Sequence, residues 1–383
     1  MAERSTDVLV VGGGVLGLGH AIAALRAGRS VTLCERHAVA RGASVRNFGM
    51  VWPIGQPAGP DLDVAMRSRV LWGELADEAG FRCRASGSLH LAYHDDEWRV
   101  LEEFAEQGQL PGLQLLTPEE VGALQPAVVE DGLRGALFSP HEANVDPGVA
   151  VRSMHAWLLR QGVAVHYQRP VVAVEPHRAT FADGASLQAE RIVICTGDDF
   201  ASLLPDVYAS SDLVRCKLQM ASLAPPQHGF DLGPMLAAGL TLLHYDAFAN
   251  CASLPALRQR IDAEFAAHRA RGIHVMVSQG DDGRLIIGDS HDYQPPFAPG
   301  LDVETERLIL DYLSTFFRPA DARVARRWSG SYARRCGGES VFRARPMPGV
   351  EVVTGVGGSG MTRSLALGEQ TLSEQALKRW GSR

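Results

Sequence analysis

Gly12, Gly14 and Gly17 follow a short apolar run from Asp7 to Val11, and Glu35 closes the next run, Ser30 to Cys34. Glycines at this spacing between a strand and a helix have a physical use. The first permits a tight turn, the second lets a pyrophosphate approach the backbone, and the third lets the helix pack closely on the strand. The helix N-terminus, with Val15 and Leu16 in its first turn, offers free N–H groups and positive potential to phosphate. An acid about 20 residues further on accepts a hydrogen bond from a ribose hydroxyl. Glu35 stands there, with Arg36 beside it. The unit predicts dinucleotide binding, since a merely structural turn would not account for Glu35. By itself it does not separate FAD from NAD.

Positioning these residues takes an α/β fold. Leu18 to Ala27 reads as a helix closed by Gly28. Further helices are expected over Trp72 to Ala79, Glu97 to Glu106, Val149 to Gln161 and Val303 to Phe317. Strands are expected over Ser88 to Tyr93, Val163 to His166, Val171 to Val174, Arg191 to Cys195 and Val350 to Thr354. Gly272 to Ser278 and Arg284 to Gly288 flank Asp281-Asp282-Gly283 as a hairpin. Nucleotide signals recur at the start, middle and end of the chain. This predicts a discontinuous Rossmann-like domain from 1–80, 140–210 and 320–383. A mainly antiparallel α+β substrate domain is inserted as 81–139 and 211–319.

Composition bounds the partners. A net charge of -7 disfavours nucleic acid, which selects basic surfaces. Lys217 and Lys378 are the only lysines, so an anionic ligand must be met by Arg, His or backbone N–H groups. The six cysteines are scattered without metal-ligand spacing and read as reduced thiols. No metal is expected from this pattern. The N-terminal apolar run lacks the features of a secretory signal, and no stretch reaches membrane-spanning length. A cytoplasmic location is expected; oligomeric state is left open.

Three further segments carry a resemblance. They are Arg41-Gly42-Ala43-Ser44-Val45-Arg46-Asn47-Phe48-Gly49, Arg191 to Gly197 ending in Thr196-Gly197, and Gly355-Val356-Gly357-Gly358-Ser359-Gly360-Met361-Thr362. With the first glycine motif, in this order, they resemble the D-amino-acid oxidase type of FAD-dependent oxidoreductase. That class includes glycine oxidases, sarcosine oxidases and D-amino-acid dehydrogenases. The resemblance implies FAD as cofactor. It places Ala43, Ser44, Asn47, Phe48 and Gly49 beside the pyrophosphate and flavin. It places Thr196 and Gly197 by the cofactor, with Val172 and Gly330, and sets Gly357, Gly358, Ser359, Gly360, Met361 and Thr362 over the flavin. A glycine-rich turn opening a helix gives N–H donors to the charge that reduced flavin carries. Met361, Leu365, Leu372 and Ala376 have the spacing of that helix.

Departures from the better-known relatives narrow the reading. The segment Trp328 to Tyr332 lacks the cysteine that sarcosine oxidases link to flavin, and Cys336 lies beyond it, so FAD is expected to be noncovalent. Tyr332 stands where glycine oxidases carry a carboxylate-binding Arg, and Arg334 and Arg335 are displaced from that position. Thr362, followed by Arg363, replaces a sarcosine-type Lys, and Ile286 replaces the hairpin Lys. The stretches Leu240 to Tyr245, Gly272 to Gln279 and Gly288 to His291 resemble a branch linked to aminophosphonate degradation. The candidate substrate residues are therefore Arg46, Tyr245, His274, Met276, Tyr332, Arg335, Thr362 and Arg363. Strand alternation puts His274, Met276 and Ser278 on one face, and His244 and Tyr245 are expected on a neighbouring strand or its end.

The resemblance implies C–N oxidation of a small amine, 2-aminoethylphosphonate or its N-methyl form being the leading candidates. Hydride leaves the carbon next to nitrogen, and the imine hydrolyses to an aldehyde and an amine. Flavin carries the chemistry, so no catalytic residue is named. Oxygen or another acceptor takes the electrons. A D-amino-acid dehydrogenase or glycine/sarcosine-oxidase-like enzyme, an NAD-dependent dehydrogenase, and a flavin-binding protein without turnover are the alternatives.

Overall fold

The computed structural model describes residues 5–226, 229–337 and 340–373. One eight-stranded sheet is built on the strand Ser5–Val11, whose side chains Leu9 and Val10 are fully buried. It pairs in parallel with Val31–Cys34 on one side and Ser186–Ile194 on the other. Ala164–His166 extends the first side, and Val350–Thr354 continues in parallel from the end of Ser186–Ile194. Runs apolar on both faces are what a parallel sheet covered by helices requires.

The helix Val15–Arg26 lies against the last helix, Gly360–Leu372. Glycine makes this approach possible. A Cβ on Gly19 would strike the Ser364 carbonyl, and one on Gly368 would strike the Gly19 carbonyl. His20, fully buried between them, bonds the Leu16 carbonyl at 2.7 Å and the Thr371 hydroxyl at 3.0 Å.

A second eight-stranded sheet runs in the order Val324–Arg335, Leu213–Leu223, Leu285–Gly288, Met276–Gln279, Met235–Ala237, Ser88–Ala92, Gly135–Ser139, Gln114–Leu116. Its pairs are antiparallel except Met235–Ala237 with Ser88–Ala92. Its edge strand, Val324–Arg335, comes from the segment 320–383 that the sequence assigns to the nucleotide part. A small third sheet joins Met50–Val51, Ala143–Val145 and Cys83–Arg84.

Several expectations are corrected locally. The helix expected from Trp72 begins at Pro60, because proline suits the first helical position and Asp61 and Asp63 follow in the first turn. His244 and Tyr245 do not lie on a strand. Gly239–Leu243 forms a 3-10 turn capped by His244, so His244 and Tyr245 leave the sheet. The hairpin strand starts at Met276, leaving His274 in the loop before it. Ala376 lies outside the described residues. Among them, no helix is long and apolar enough to cross a membrane.

Glu142 ties the turn at Ile54 to the second-sheet strand that begins at Ser88. Its carboxylate, fully buried, accepts hydrogen bonds from the Ile54 N–H at 3.0 Å and the Ser88 hydroxyl at 2.9 Å. Burial pushes its pKa up from the ordinary 4.5 to about 7, against these hydrogen bonds. Between those values the folded state binds more protons than the unfolded chain, so stability falls as pH rises through the window. Glu142→Gln keeps an acceptor for Ile54 and removes the charge. A shift of this size predicts roughly 2–4 kcal/mol of stabilisation by the variant at about pH 8, vanishing below about pH 5. Thermal melts of both proteins across this range check it; parallel curves with no convergence in acid would count against it.

Candidate active site

A cavity of about 1280 Å³ runs from the first glycine turn to the face of the second sheet. At its nucleotide end, Gly12, Gly14, Val15 and Leu16 line the wall, together with Glu35 and Arg36. The Glu35 carboxylate, 7% exposed, accepts from the Gly13 N–H at 3.0 Å and the His37 N–H at 2.9 Å. His155 holds the Gly13 carbonyl at 2.8 Å and is itself bonded by Tyr167. The turn is thus fixed from both sides before any ligand arrives. Arg36 is ion-paired with Asp199.

The middle of the cavity is formed by the 43–48 loop. Ser44 accepts from the Val15 N–H at 2.9 Å, joining this loop to the helix start. Asn47 is turned into its own loop, donating to the Ala43 carbonyl at 2.8 Å and accepting from the Gly49 N–H at 2.7 Å. Arg46 donates to the Ser329 carbonyl at 3.0 Å, and Trp328 returns a bond to the Arg46 carbonyl at 3.2 Å. Gly330, Thr196 and Gly197 face the same space, with half-exposed Val172 also on the wall. Thr354 fixes the Gly197 carbonyl at 2.7 Å. On the far side come Gly357, Gly358, Ser359, Gly360 and Met361.

At the other end are His244, Tyr245, His274, Asp289, His291, Tyr332 and Arg334. His274 Nε2 lies 3.1 Å from Asp289 Oδ1, and His291 Nε2 lies 3.8 Å from Asp289 Oδ2. Burial works to raise the Asp289 pKa, but His291 and His274 outweigh it and hold the carboxyl below its usual range. Burial pushes the Tyr245 and Tyr332 hydroxyls up, so both remain neutral donors near pH 7. Arg334 donates to the Tyr293 hydroxyl at 2.9 Å.

Not every expected residue faces the cavity. Gly17 and Gly49 stand behind its wall, where a Cβ would strike the Gly12 and Val145 carbonyls respectively. Met276 is buried beneath the Tyr245 hydroxyl, 3.5 Å from its sulfur, and Thr362 accepts from the Trp52 N–H at 3.0 Å. Arg335 and Arg363 touch the wall but are engaged, the first with Asp212 at 2.9 Å and the second with Asp61 at 2.7 Å. Asp289 and Arg334 reach the wall although neither is among the candidate substrate residues. Asp289 belongs to the stretch Gly288 to His291, but its pairing with His274 depends on the hairpin register, which local sequence does not disclose.

A family model described as FAD dependent oxidoreductase matches residues 7–373. The chain belongs to this family. FAD, not NAD, is therefore its cofactor. Glycine oxidase of Bacillus licheniformis is 28% identical over 207 residues, covering 51% of this chain and 55% of that protein. The chain thus spans little more than half of that relative. One of the subunits of the opine oxidase of Rhizobium meliloti is 22% identical over 88% of this chain and 84% of its own. The fold matches glycine oxidase from Bacillus cereus ATCC 14579 with a TM-score of 0.77 at 18% identity, over 97% of this chain and 95% of that one.

The geometry fits FAD. The glycine turn, the Glu35 carboxylate and the last glycine turn lie on one continuous cavity. Gly14→Val would fill the approach between the turn and Ser44, where even a Cβ would lie 2.9 Å from the hydroxyl. It is expected to abolish FAD binding. Glu35→Ala is expected to weaken FAD affinity by about 1–3 kcal/mol, through loss of a charged hydrogen bond. Titration of apoprotein with FAD measures both; normal affinity in Gly14→Val would overturn this placement of the phosphates.

Proposed function

We propose that this chain oxidises the C–N bond of a small amine that also carries a phosphonate, 2-aminoethylphosphonate or its N-methyl form being the leading candidates. The observation that carries the reading is the identity of the groups at the substrate end. By the resemblance, Tyr332 stands where glycine oxidases carry a carboxylate-binding Arg, while Arg335 and Arg363 are already paired with carboxylates. Arg46, Arg334, Tyr332 and the histidines remain along the cavity wall. A tetrahedral phosphonate uses several such donors, whereas a planar carboxylate leaves some unpaired at a cost of about 1–3 kcal/mol each.

Bound FAD supplies the two-electron acceptor. The chain's own residues orient the amine, exclude water and keep the anionic end away from the reacting carbon. Tyr245 and Tyr332 offer neutral hydroxyl donors, and Asp289 offers a carboxylate to a cationic amine. In this reading the discontinuous segments 1–80, 140–210 and 320–383 serve the cofactor, and 81–139 with 211–319 serve the substrate, with Val324–Arg335 shared between them. The glycine oxidase and opine oxidase names of the relatives favour a second reading, an amino-acid or N-substituted amino-acid substrate.

Two measurements test this. Acid precipitation is expected to release all yellow colour into the supernatant, since Trp328 to Tyr332 holds no cysteine; colour kept in the pellet would contradict noncovalent binding. In anaerobic stopped-flow, aminophosphonates are expected to bleach the flavin faster than glycine, sarcosine or D-alanine at equal concentration. Bleaching by the amino acids alone would transfer the assignment to the second reading. No bleaching by any amine would favour a flavin-binding role without turnover.

A further inference from the structure

The substrate end holds a side-chain cluster that amine oxidation does not by itself require. His244, His274 and His291 come from separate places: the end of a 3-10 turn, the loop before one hairpin strand and the loop after the other. Each offers one ring nitrogen, and these nitrogens lie within 4.8 Å of one another. The His244 and His274 rings stack at 3.8 Å between centroids, with His291 4.6 Å from His244.

We propose that His244, His274 and His291 bind one divalent transition-metal ion in the cavity wall, oriented by Asp289. Two features of the surroundings point to a ligand. His291 Nδ1 lies 2.9 Å from the Gly272 carbonyl; as donor there, the ring keeps Nε2 as a lone pair. His274 has Nε2 beside the Asp289 carboxylate, and its Nδ1 is buried with no hydrogen-bond partner. Carboxylate and backbone carbonyl partners of this kind fix the tautomer and direction of metal-binding imidazoles. Asp289 itself is buried, and among the described residues the basic groups within 4 Å of its carboxylate are the His274 and His291 rings, with no Arg or Lys. A buried carboxylate without a full counter-charge is costly, and a cation among the rings compensates it.

The donor set selects the ion. Imidazole nitrogens suit zinc, copper, iron and nickel, whereas magnesium and calcium prefer oxygen. Zinc–nitrogen bonds of about 2.0–2.1 Å bring tetrahedral nitrogens to roughly 3.3 Å apart, so the rings must close by about 1.5 Å at most and rotate out of their stack. Three protein ligands leave a coordination position open. All three rings border the cavity, so that position is available to an oxygen of a bound anion. The ion would then serve as the anion clamp in place of an arginine. That role rests on the amine-plus-phosphonate reading; metal binding does not.

The test uses FAD-loaded, untagged protein dialysed against zinc and then against metal-free buffer. Elemental analysis is expected to find about one zinc per chain, and cobalt substitution to give d–d absorption at longer wavelength than the flavin bands. His274→Ala and His291→Ala are expected to lose the ion while keeping FAD, which reports that they have folded. Asp289→Asn, nearly isosteric, is expected to weaken zinc binding by about 10–100-fold, as lost outer partners do. Less than a tenth of an equivalent of zinc in folded wild-type protein, or full retention in both alanine variants, would overturn the proposal. Anaerobic bleaching by the aminophosphonate with and without zinc separates the two readings. Zinc bound without bleaching leaves the site standing and removes the phosphonate substrate; equal bleaching with and without bound zinc keeps the substrate and removes the ion's role as anion clamp, and no bound zinc removes the site whatever the bleaching.

Discussion

Two helices can approach to backbone contact only where neither carries a side chain at the crossing, and Gly19 and Gly368 provide that crossing. The consequence reaches well beyond helix packing. The helix Val15–Arg26 begins at the first glycine turn, and Gly360–Leu372 begins at the last one. Holding the helices together holds two turns, far apart in sequence, on one cavity. The parallel pairings of Ser5–Val11 and Ser186–Ile194 bring Thr196 and Gly197 to the same place. A chain that must return to this point at its start, middle and end can add a second sheet only as insertions between returns.

The second sheet is fastened to that centre by bonds to main-chain atoms. Ser278 donates to the Phe48 carbonyl at 2.7 Å, Trp328 to that of Arg46, and Arg46 to that of Ser329. Each contact joins a sheet strand to the 43–48 loop. The edge strand also meets the last glycine turn through a bridge between Arg334 and Val356. The wall between cofactor and substrate ends is therefore a set of strand ends and turns whose positions are set by register. Glu142 secures the other side, holding the backbone at Ile54 to the strand that begins at Ser88.

This explains what was legible in the sequence. The first strand, turn, helix and acid could be read because each part is local and each residue type has one dominant use. The strand Val350–Thr354 and the helix after it were legible for the same reason. The long pair Leu213–Leu223 and Val324–Arg335 was not. The second of these carries Arg326, Arg327, Arg334 and Arg335 on an edge, so its alternation is masked by charge. His244 and Tyr245 are expected on a strand or its end, but Leu240 to Leu243, which lead into them, do not form one. Their tertiary setting makes them a turn: the Leu240 N–H donates at 3.1 Å to the Tyr312 hydroxyl, a side chain, and to no neighbouring strand. Arg335 and Arg363 looked free because Asp212 and Asp61, which engage them, lie far away in sequence. The histidine cluster was invisible for that reason too: its members meet only after the hairpin forms.

The near absence of lysine gives these distant pairings their chemical weight. Lys217 does not reach the cavity; its ammonium is spent on the carbonyls of Ala298 and Gly300, the latter at 2.9 Å. Arg335 and Arg363 are neutralised by carboxylates, and Arg46 and Arg334 supply fixed positive charge near the substrate end. Arg46 is held by a backbone carbonyl and Arg334 by the Tyr293 hydroxyl, so both keep their net charge while losing freedom to move. A guanidinium fixed in this way presents its remaining N–H donors in one direction, and specificity then depends on where the ligand's oxygens fall. A wall with no ammonium among its described residues cannot adapt to an anion of any shape. Its selectivity must come from the arrangement of Arg, Tyr and His groups, and that arrangement is fixed by the same strand ends and turns that frame the flavin.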